Sequence, residues 1–568
     1  MKNFFISIGL ISMICALVVY FYYDYHASVI LYHLLVISIS CGIVFVVYWF
    51  LGYIKRPMWR GILQNALCIS FFFSVLLFYL TLIGSISIWG KPIELKLLLT
   101  YLTSLGKLIA TLPVQSWILI AFLILFFLTA ILTYVFIRPK SKQNNSVFFK
   151  RDVLYLIVFS ILILVFYNPL INFKRKIHAA GEPLLGFVFP RSWHDQDEME
   201  LYKKLLIKNA GDDKTCEEAV KNEVVHPYQP NIILIVIDAL RSDHLSAYGY
   251  QRKTTPFLDS MVHTGSILLV KHAFSPSTNT LGGIANIFSS HTIEDFNFNS
   301  FRLMKYMKTK KYATYAMVTG ANSKWYWLTD IYRNNCDFYF ESNSDLASED
   351  DDYITLNHFK NIHLKAPSFV YLHLESVHIL GKKYNQFKKY FPDKAGIGVN
   401  KNEAMINNYD NGVLQADFWV SEIFKKLQKE GQLENSILFI VADHGDLLGE
   451  DGRWGHNKSV HPYLQSVPIL IYDKNAGWYA NTFSATLLDI APTIADRLGY
   501  KIPFCWKGRS LHQPATDFKI ELSGVKPCTY PYGQLISKDS SFTMSLADEH
   551  HSIKRIFRMN DEGSWIEN

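Results

Sequence analysis

The chain has 568 residues, of which 50% are hydrophobic and 18% charged, and its mean hydropathy is +0.11. An ordinary soluble domain carries about 25% charged residues, so a fully soluble, fibrous or disordered protein is excluded and part of the chain is expected in lipid. Residues 1–171 hold 12 Lys/Arg against 3 Asp/Glu, whereas the remaining 397 hold 44 against 46. The basic excess therefore belongs to the membrane part and gives no reason to expect nucleic-acid binding.

Five apolar runs reach the roughly 20 residues that a bilayer requires, near 4–22, 29–51, 62–88, 117–137 and 153–171. The first has no small-residue cleavage site and four more spans follow it, so it reads as retained rather than as a signal peptide. Lys55, Arg56 and Arg60 lie between spans two and three, and Arg138, Lys140, Lys142, Lys150 and Arg151 between four and five. The positive-inside rule places both loops in the cytoplasm and everything after residue 172 outside. Residues 94–112 read as a membrane-surface or connecting helix.

The expected organisation is a five-helix transmembrane domain over 1–171, a helical linker over 172–227 and an extracytoplasmic catalytic domain over 228–568. In that last region NIILIVIDAL, SFVYLHLES, SILFIVADHG and SVPILIYD are short, continuously apolar runs separated by amphipathic stretches. They read as buried parallel strands covered on both faces, hence an α/β domain with a central, mostly parallel sheet. Cys216, Cys336, Cys505 and Cys528 lie in this outer part and allow three pairings. Proximity favours Cys505–Cys528.

Three of these strands end in residues that bind metals or move protons: Asp238 on the first, His373 and His378 on the second, Asp443 and His444 on the third. Ligands of open α/β sheets bind beyond the carboxyl ends of the strands, so residues over 200 positions apart are expected to meet. Asp and His together suit a divalent ion such as zinc, or manganese where oxygen ligands dominate. In SPSTNTLGGIANIFSSH, Thr280 stands before an apolar stretch of helical character, where backbone N–H groups and the helix dipole favour phosphate. Ser277 and Thr278 compete with it as nucleophile. His461 before Pro462 reads as structural, and Arg241, Asp243 and His244 as supports for the loop after Asp238.

IDALRSDHLSAYGY, TTPFLD, Thr280-Leu281 with Phe288-Ser289, and ADHGDLLGEDGRWGHNKSVHPYLQSVPILI together resemble the alkaline phosphatase/sulfatase superfamily across residues 228–475. With five spans ahead of them, they are similar to its membrane-anchored branch, the lipid A phosphoethanolamine transferases and lipoteichoic acid synthases. LHLESVH with Tyr384 and Tyr390-Phe391-Pro392 is similar to a segment of the former, GANSKWYWLTDIYRNNCDFYF to a head-group segment of the latter, and NNYDNGVLQADFWVSEI to a helix of both. The resemblance implies Asp238, Thr280, Asp443 and His444 around one divalent metal, with Thr280 as nucleophile. His378 and His456 would be acid/base groups or second-metal ligands, with His373 and Trp327 on the substrate side. One or two ions are implied, zinc first and manganese or calcium as alternatives.

The chain departs from these families in four places, the first being that the cysteines flanking the phosphoethanolamine transferase nucleophile are absent. Thr280-Leu281-Gly282 lacks the C/S-x-P-x-R signature of sulfatases, Asp238 replaces the usual Glu of the transferases, and Thr329 stands where the synthases have an Arg. The implied activity is transfer of a phosphoethanolamine or phosphoglycerol head group from a phospholipid donor, through a phosphothreonine, to an envelope glycan or lipid. The implied place is a bacterial inner membrane, multi-pass, with the catalytic domain on the periplasmic or extracellular side. A hydrolase of phosphate or sulfate esters and a non-catalytic membrane sensor or scaffold are the alternatives.

Overall fold

The computed structural model describes residues 27–89, 95, 210–221 and 223–567, the last with gaps at 225, 227–228, 293–294, 297–299, 325–327, 344–349, 395–398, 457–459, 523–532 and 548–552. The described residues fall into two compact units, one holding 27–89 and the other 210–567. The first contains two helices, α1 (Ala27–Leu51) and α2 (Pro57–Trp89). They coincide with the second and third expected spans, and Pro57–Tyr79 is long and apolar enough to cross a membrane. The first, fourth and fifth expected spans lie outside the described residues, as does the 94–112 segment apart from Leu95.

In the second unit, α3 (Ala210–Lys221) leads into a seven-stranded sheet. Its strands in chain order are β1 (Asn231–Ile237), β2 (Ile267–Leu269), β3 (Ala313–Val318), β4 (Phe338–Glu341), β5 (Ser368–Leu374), β6 (Ser436–Val441) and β7 (Ile469–Tyr472). The spatial order is β2-β7-β6-β1-β5-β3-β4. Strands β6, β1, β5, β3 and β4 are mutually parallel, with Val236 opposite both His373 and Val441. Every residue of β1, β5 and β6 is buried, because packing covers both faces of the sheet.

One expected strand direction needs correction. β7, the ILIY of SVPILIYD, runs antiparallel to β6, so the sheet is mixed. A fully buried run is equally apolar whichever way it points, and only the connection decides. The segment between β6 and β7 is taken up by a loop and short turns rather than by a long crossover helix.

The disulfide expectation also fails. Cys505 is bonded to Cys216 on α3, with Cα atoms 6.0 Å apart, and Cys528 lies outside the described residues. Proximity in sequence misled because α3 folds onto the body of the second unit. Glu217 pairs with Lys305, and the buried Lys310 reaches Glu223 at 2.6 Å.

A second sheet of five antiparallel strands closes the chain: β8 (Phe518–Leu522), β9 (Gly533–Lys538), β10 (Ser541–Ala547), β11 (Ile553–Met559) and β12 (Trp565–Glu567). Asp539 and Ser540, both at positive φ, form the two-residue hairpin between β9 and β10. One face, including Leu535, Phe542, Met544 and Trp565, packs on Phe274 and Val460.

Candidate active site at the carboxyl edge of the sheet

Asp238 follows β1 directly, its N–H still bonded to the Leu374 carbonyl of β5 at 2.8 Å. His373 ends β5 on the adjacent strand, and its Nε2 lies 3.3 Å from Asp238 Oδ2. Its Nδ1 lies 2.6 Å from the Tyr371 hydroxyl, which fixes the ring. Asp443 and His444 follow β6 on the other side of β1. Asp443 Oδ1 accepts from the N–H groups of Ala239 and His444 at 3.2 and 2.9 Å. His444 Nδ1 lies 2.8 Å from the Gly445 carbonyl, leaving Nε2 toward Asp238 and Asp443 at 3.7 and 3.5 Å.

Thr280 opens α4 (Thr280–Ser289), and Asn279 caps the helix by accepting from the Gly282 N–H at 3.1 Å. The Thr280 hydroxyl donates to Asp238 Oδ2 at 3.2 Å and lies 3.3 Å from His444 Nε2. Gly283 permits this approach, since a Cβ there would stand 2.3 Å from the Asp443 carbonyl oxygen. The competing nucleophiles are disposed differently. Ser277 and Thr278 are fully buried with unpartnered hydroxyls, whereas Thr280 is partly exposed.

Beside this cluster, His378 Nδ1 lies 3.3 Å from Glu375 Oε2. His456 Nδ1 lies 2.6 Å from Asp446 Oδ1, and its ring stands 4.3 Å from that of His444 and 5.6 Å from that of His378. Asp238, Thr280, His373, His378, Asp443, His444 and His456 thus meet at one edge. Trp327, with Trp325 and Tyr326, lies outside the described residues. The sequence reading missed Glu375 and Asp446. Both sit inside the quoted motifs LHLESVH and ADHGD, and their spacing from His378 and His444 was the available signal.

Supporting residues behave as expected. Arg241 is buried and its guanidinium joins Asp243, Glu450 and the Asp446 carbonyl. His244 pairs with Asp410 at 2.7 Å. His461 caps a short helix by accepting from the Tyr463 N–H.

The electrostatics favour a bound cation. Burial and the neighbouring Asp238 push the Asp443 carboxyl upward. Burial, then Asp238, Asp350 and Asp352, push Glu375 well above the usual range. Asp238 Oδ1 and Asp443 Oδ2 are buried without a hydrogen-bond partner, and Glu375 Oε2 and His378 Nδ1 make no well-aligned hydrogen bond beyond their own 3.3 Å approach, a state that costs free energy unless something is coordinated. Three donor triads satisfy a metal's demand for convergence within 4.8 Å: Asp238/Asp443/His444, Asp238/Glu375/His378 and His444/Asp446/His456. Mixed carboxylate and imidazole donors fit zinc. Burial drives the His378 imidazole down to about 4, so the ring is neutral at neutral pH.

Residues 230–500 match the sulfatase family model. The phosphoethanolamine transferase EptA of Salmonella typhimurium is 26% identical over 370 residues, covering 60% of this chain and 63% of its own length. The Kdo(2)-lipid A phosphoethanolamine 7''-transferase of the same organism is 23% identical over 261 residues, 42% of this chain and 44% of its own. The chain thus spans less than two thirds of the length of either relative. The zinc complex of the periplasmic domain of Escherichia coli EptC has a TM-score of 0.48 at 18% identity, covering 58% of this chain and 95% of that domain.

Proposed function

We propose that the protein transfers a phospholipid head group, phosphoethanolamine first and phosphoglycerol second, to a glycolipid or glycan of the bacterial envelope. The observation that carries this reading is the placing of the partly exposed Thr280 hydroxyl, at a helix N-terminus, within hydrogen-bond reach of Asp238 and His444. The names of its relatives supply the head group, and the one named for Kdo(2)-lipid A supplies the class of acceptor.

In this reading Asp238, Thr280, Asp443 and His444 hold one divalent ion, with Glu375, His378 and His456 available to a second. Zinc fits the donors first, and manganese or calcium are alternatives. When bound, the metal acidifies the hydroxyl and offsets charge on the phosphoryl oxygens. Thr280 Oγ1 attacks the phosphorus of the donor as its proton passes to the departing diacylglycerol oxygen, whose bond to phosphorus breaks, and a phosphothreonine diester remains. The N-terminus of α4 faces the negative charge that develops. Where no second ion occupies His378, its neutral imidazole takes the proton of the acceptor hydroxyl, whose oxygen displaces Thr280 and takes the head group, and the proton returns to Thr280 Oγ1. Asp446 holds one nitrogen of His456 and leaves the other for the same centre. His373 supports Asp238, and Trp327 is the candidate head-group contact.

A five-span anchor over 1–171, a helical linker over 172–227 and an outward-facing domain over 228–568 complete the proposal. Such an anchor confines enzyme and lipid donor to one plane of the inner membrane. The test is diacylglycerol release from labelled phosphatidylethanolamine and phosphatidylglycerol. Release that Thr280→Ala abolishes is expected, and release unchanged by that variant refutes the reading.

A further inference from the structure

Helix α5 (Lys401–Lys429) carries the NNYDNGVLQAD segment, a buried polar face with no part in the chemistry above. Its side chains end on the loops that bear the site residues. Asp410 holds His244, Tyr250 and Arg252, and Gln415 bridges Ser376, the Lys382 carbonyl and the Tyr384 N–H around the His378 loop. Tyr409 makes the contact closest to the catalytic centre.

Its hydroxyl donates to the Ala239 carbonyl at 2.6 Å and accepts from the Arg241 N–H at 2.7 Å. Tyr409 is 4% exposed, and its ring meets His244 edge-on. Ala239 is the residue immediately after Asp238, and its φ is 60°. An L-residue with a Cβ avoids that left-handed region, where only glycine is at ease, and single strained residues of this kind persist only when their surroundings hold them. Here the holders are Tyr409 on the carbonyl side and Asp443 Oδ1 on the N–H side. The reversal at Ala239 turns the chain away from the sheet edge and leaves Asp238 at the tip of β1, facing Thr280 and His373.

We propose that Tyr409 is a positioning residue for Asp238: its hydroxyl bridges residues 239 and 241, stabilises the left-handed Ala239, and so fixes the carboxylate in a metal-ready orientation. The inference rests on the reading of Asp238 as a metal ligand. Groups that orient a ligand without touching the metal are typically worth about 10- to 100-fold in affinity.

Zinc titration of the full-length, detergent-solubilised, metal-stripped protein by calorimetry tests it, with thermal unfolding in parallel. Tyr409→Phe removes only the bridging oxygen and is expected to weaken zinc binding about 10- to 100-fold. Adding Ala239→Gly, which adopts positive φ without a Cβ penalty, is expected to restore affinity to within about threefold of the wild type. Unchanged zinc affinity in Tyr409→Phe overturns the inference. So does a loss that Ala239→Gly fails to restore, because the hydroxyl would then act by some route other than the backbone at 239. Absence of zinc binding by the wild-type chain would instead remove the functional reading itself, and the inference with it.

Discussion

The two sheets of the second unit are built from the same backbone and put to opposite uses. The seven-stranded sheet buries β1, β5 and β6 completely and collects Asp238, His373, Asp443 and His444 at one edge. The C-terminal sheet alternates, with Leu535 buried and Ile536 36% exposed on neighbouring positions of β9, and none of the site residues lies on it. Burial on both faces leaves a parallel strand nowhere to be polar except at its ends, so its ends are where chemistry gathers. An antiparallel meander with one wet face spreads its polar groups along its length and converges nowhere.

This contrast predicts a hierarchy of effects. Substituting Thr280→Ala or Asp443→Ala at the edge is expected to lower turnover by about 10³-fold or more without loss of the circular dichroism spectrum. Head-group release assays against phosphatidylethanolamine read it, and turnover within tenfold of wild type would break the assignment. Chelation with EDTA is expected to abolish turnover and lower the melting temperature, both recovering on zinc addition, since a ligand of the folded state alone stabilises it. In the body of the sheets, Ile235→Ala is expected to cost about 2–5 kcal/mol, against less than about 0.5 kcal/mol for Ile536→Ala on the wet face. Urea denaturation of both variants measures the difference directly, and equal costs would erase the contrast.

The smallest effect concerns the seam where the C-terminal sheet meets the site loops. Asp451 is hydrogen-bonded by Arg555 of β11 and by Arg453, and its carboxyl is lowered to about 2. A carboxylate whose folded pKa lies below its unfolded value of about 3.9 stabilises the fold above that value. The contribution is therefore present at neutral pH and is lost as pH falls from about 4 toward 2. Asp451→Asn is expected to flatten that part of the stability–pH curve by lowering stability slightly at pH 7, a small effect because the group is largely exposed, and leaving it unchanged near pH 2.

Legibility in the sequence followed the same division. Continuous apolar runs ending in Asp or His made β1, β5 and β6 readable, and Thr280 was identifiable once the flanking motifs were taken together. The direction of β7 was not readable, since ILIY carries no polarity along its axis. Glu375 went unnoticed because its role appears only when β5 and the loop after it bring His378 back beside Asp238. The C-terminal sheet escaped notice too, its alternation being weaker than the full burial of the central strands. The pairing of Cys216 with Cys505 depends on α3 folding against the rest of the second unit, a tertiary fact with no local signature.

That bond also sets a timetable. Its two cysteines are separated by 289 positions, so at about 5–20 residues per second the first thiol waits roughly 15–60 s for its partner during synthesis. Cys336 emerges in that interval and is the nearest wrong partner. Correct pairing of Cys216 with Cys505 therefore proceeds through thiol–disulfide exchange, and the yield of folded protein should follow the supply of isomerase more closely than the supply of zinc.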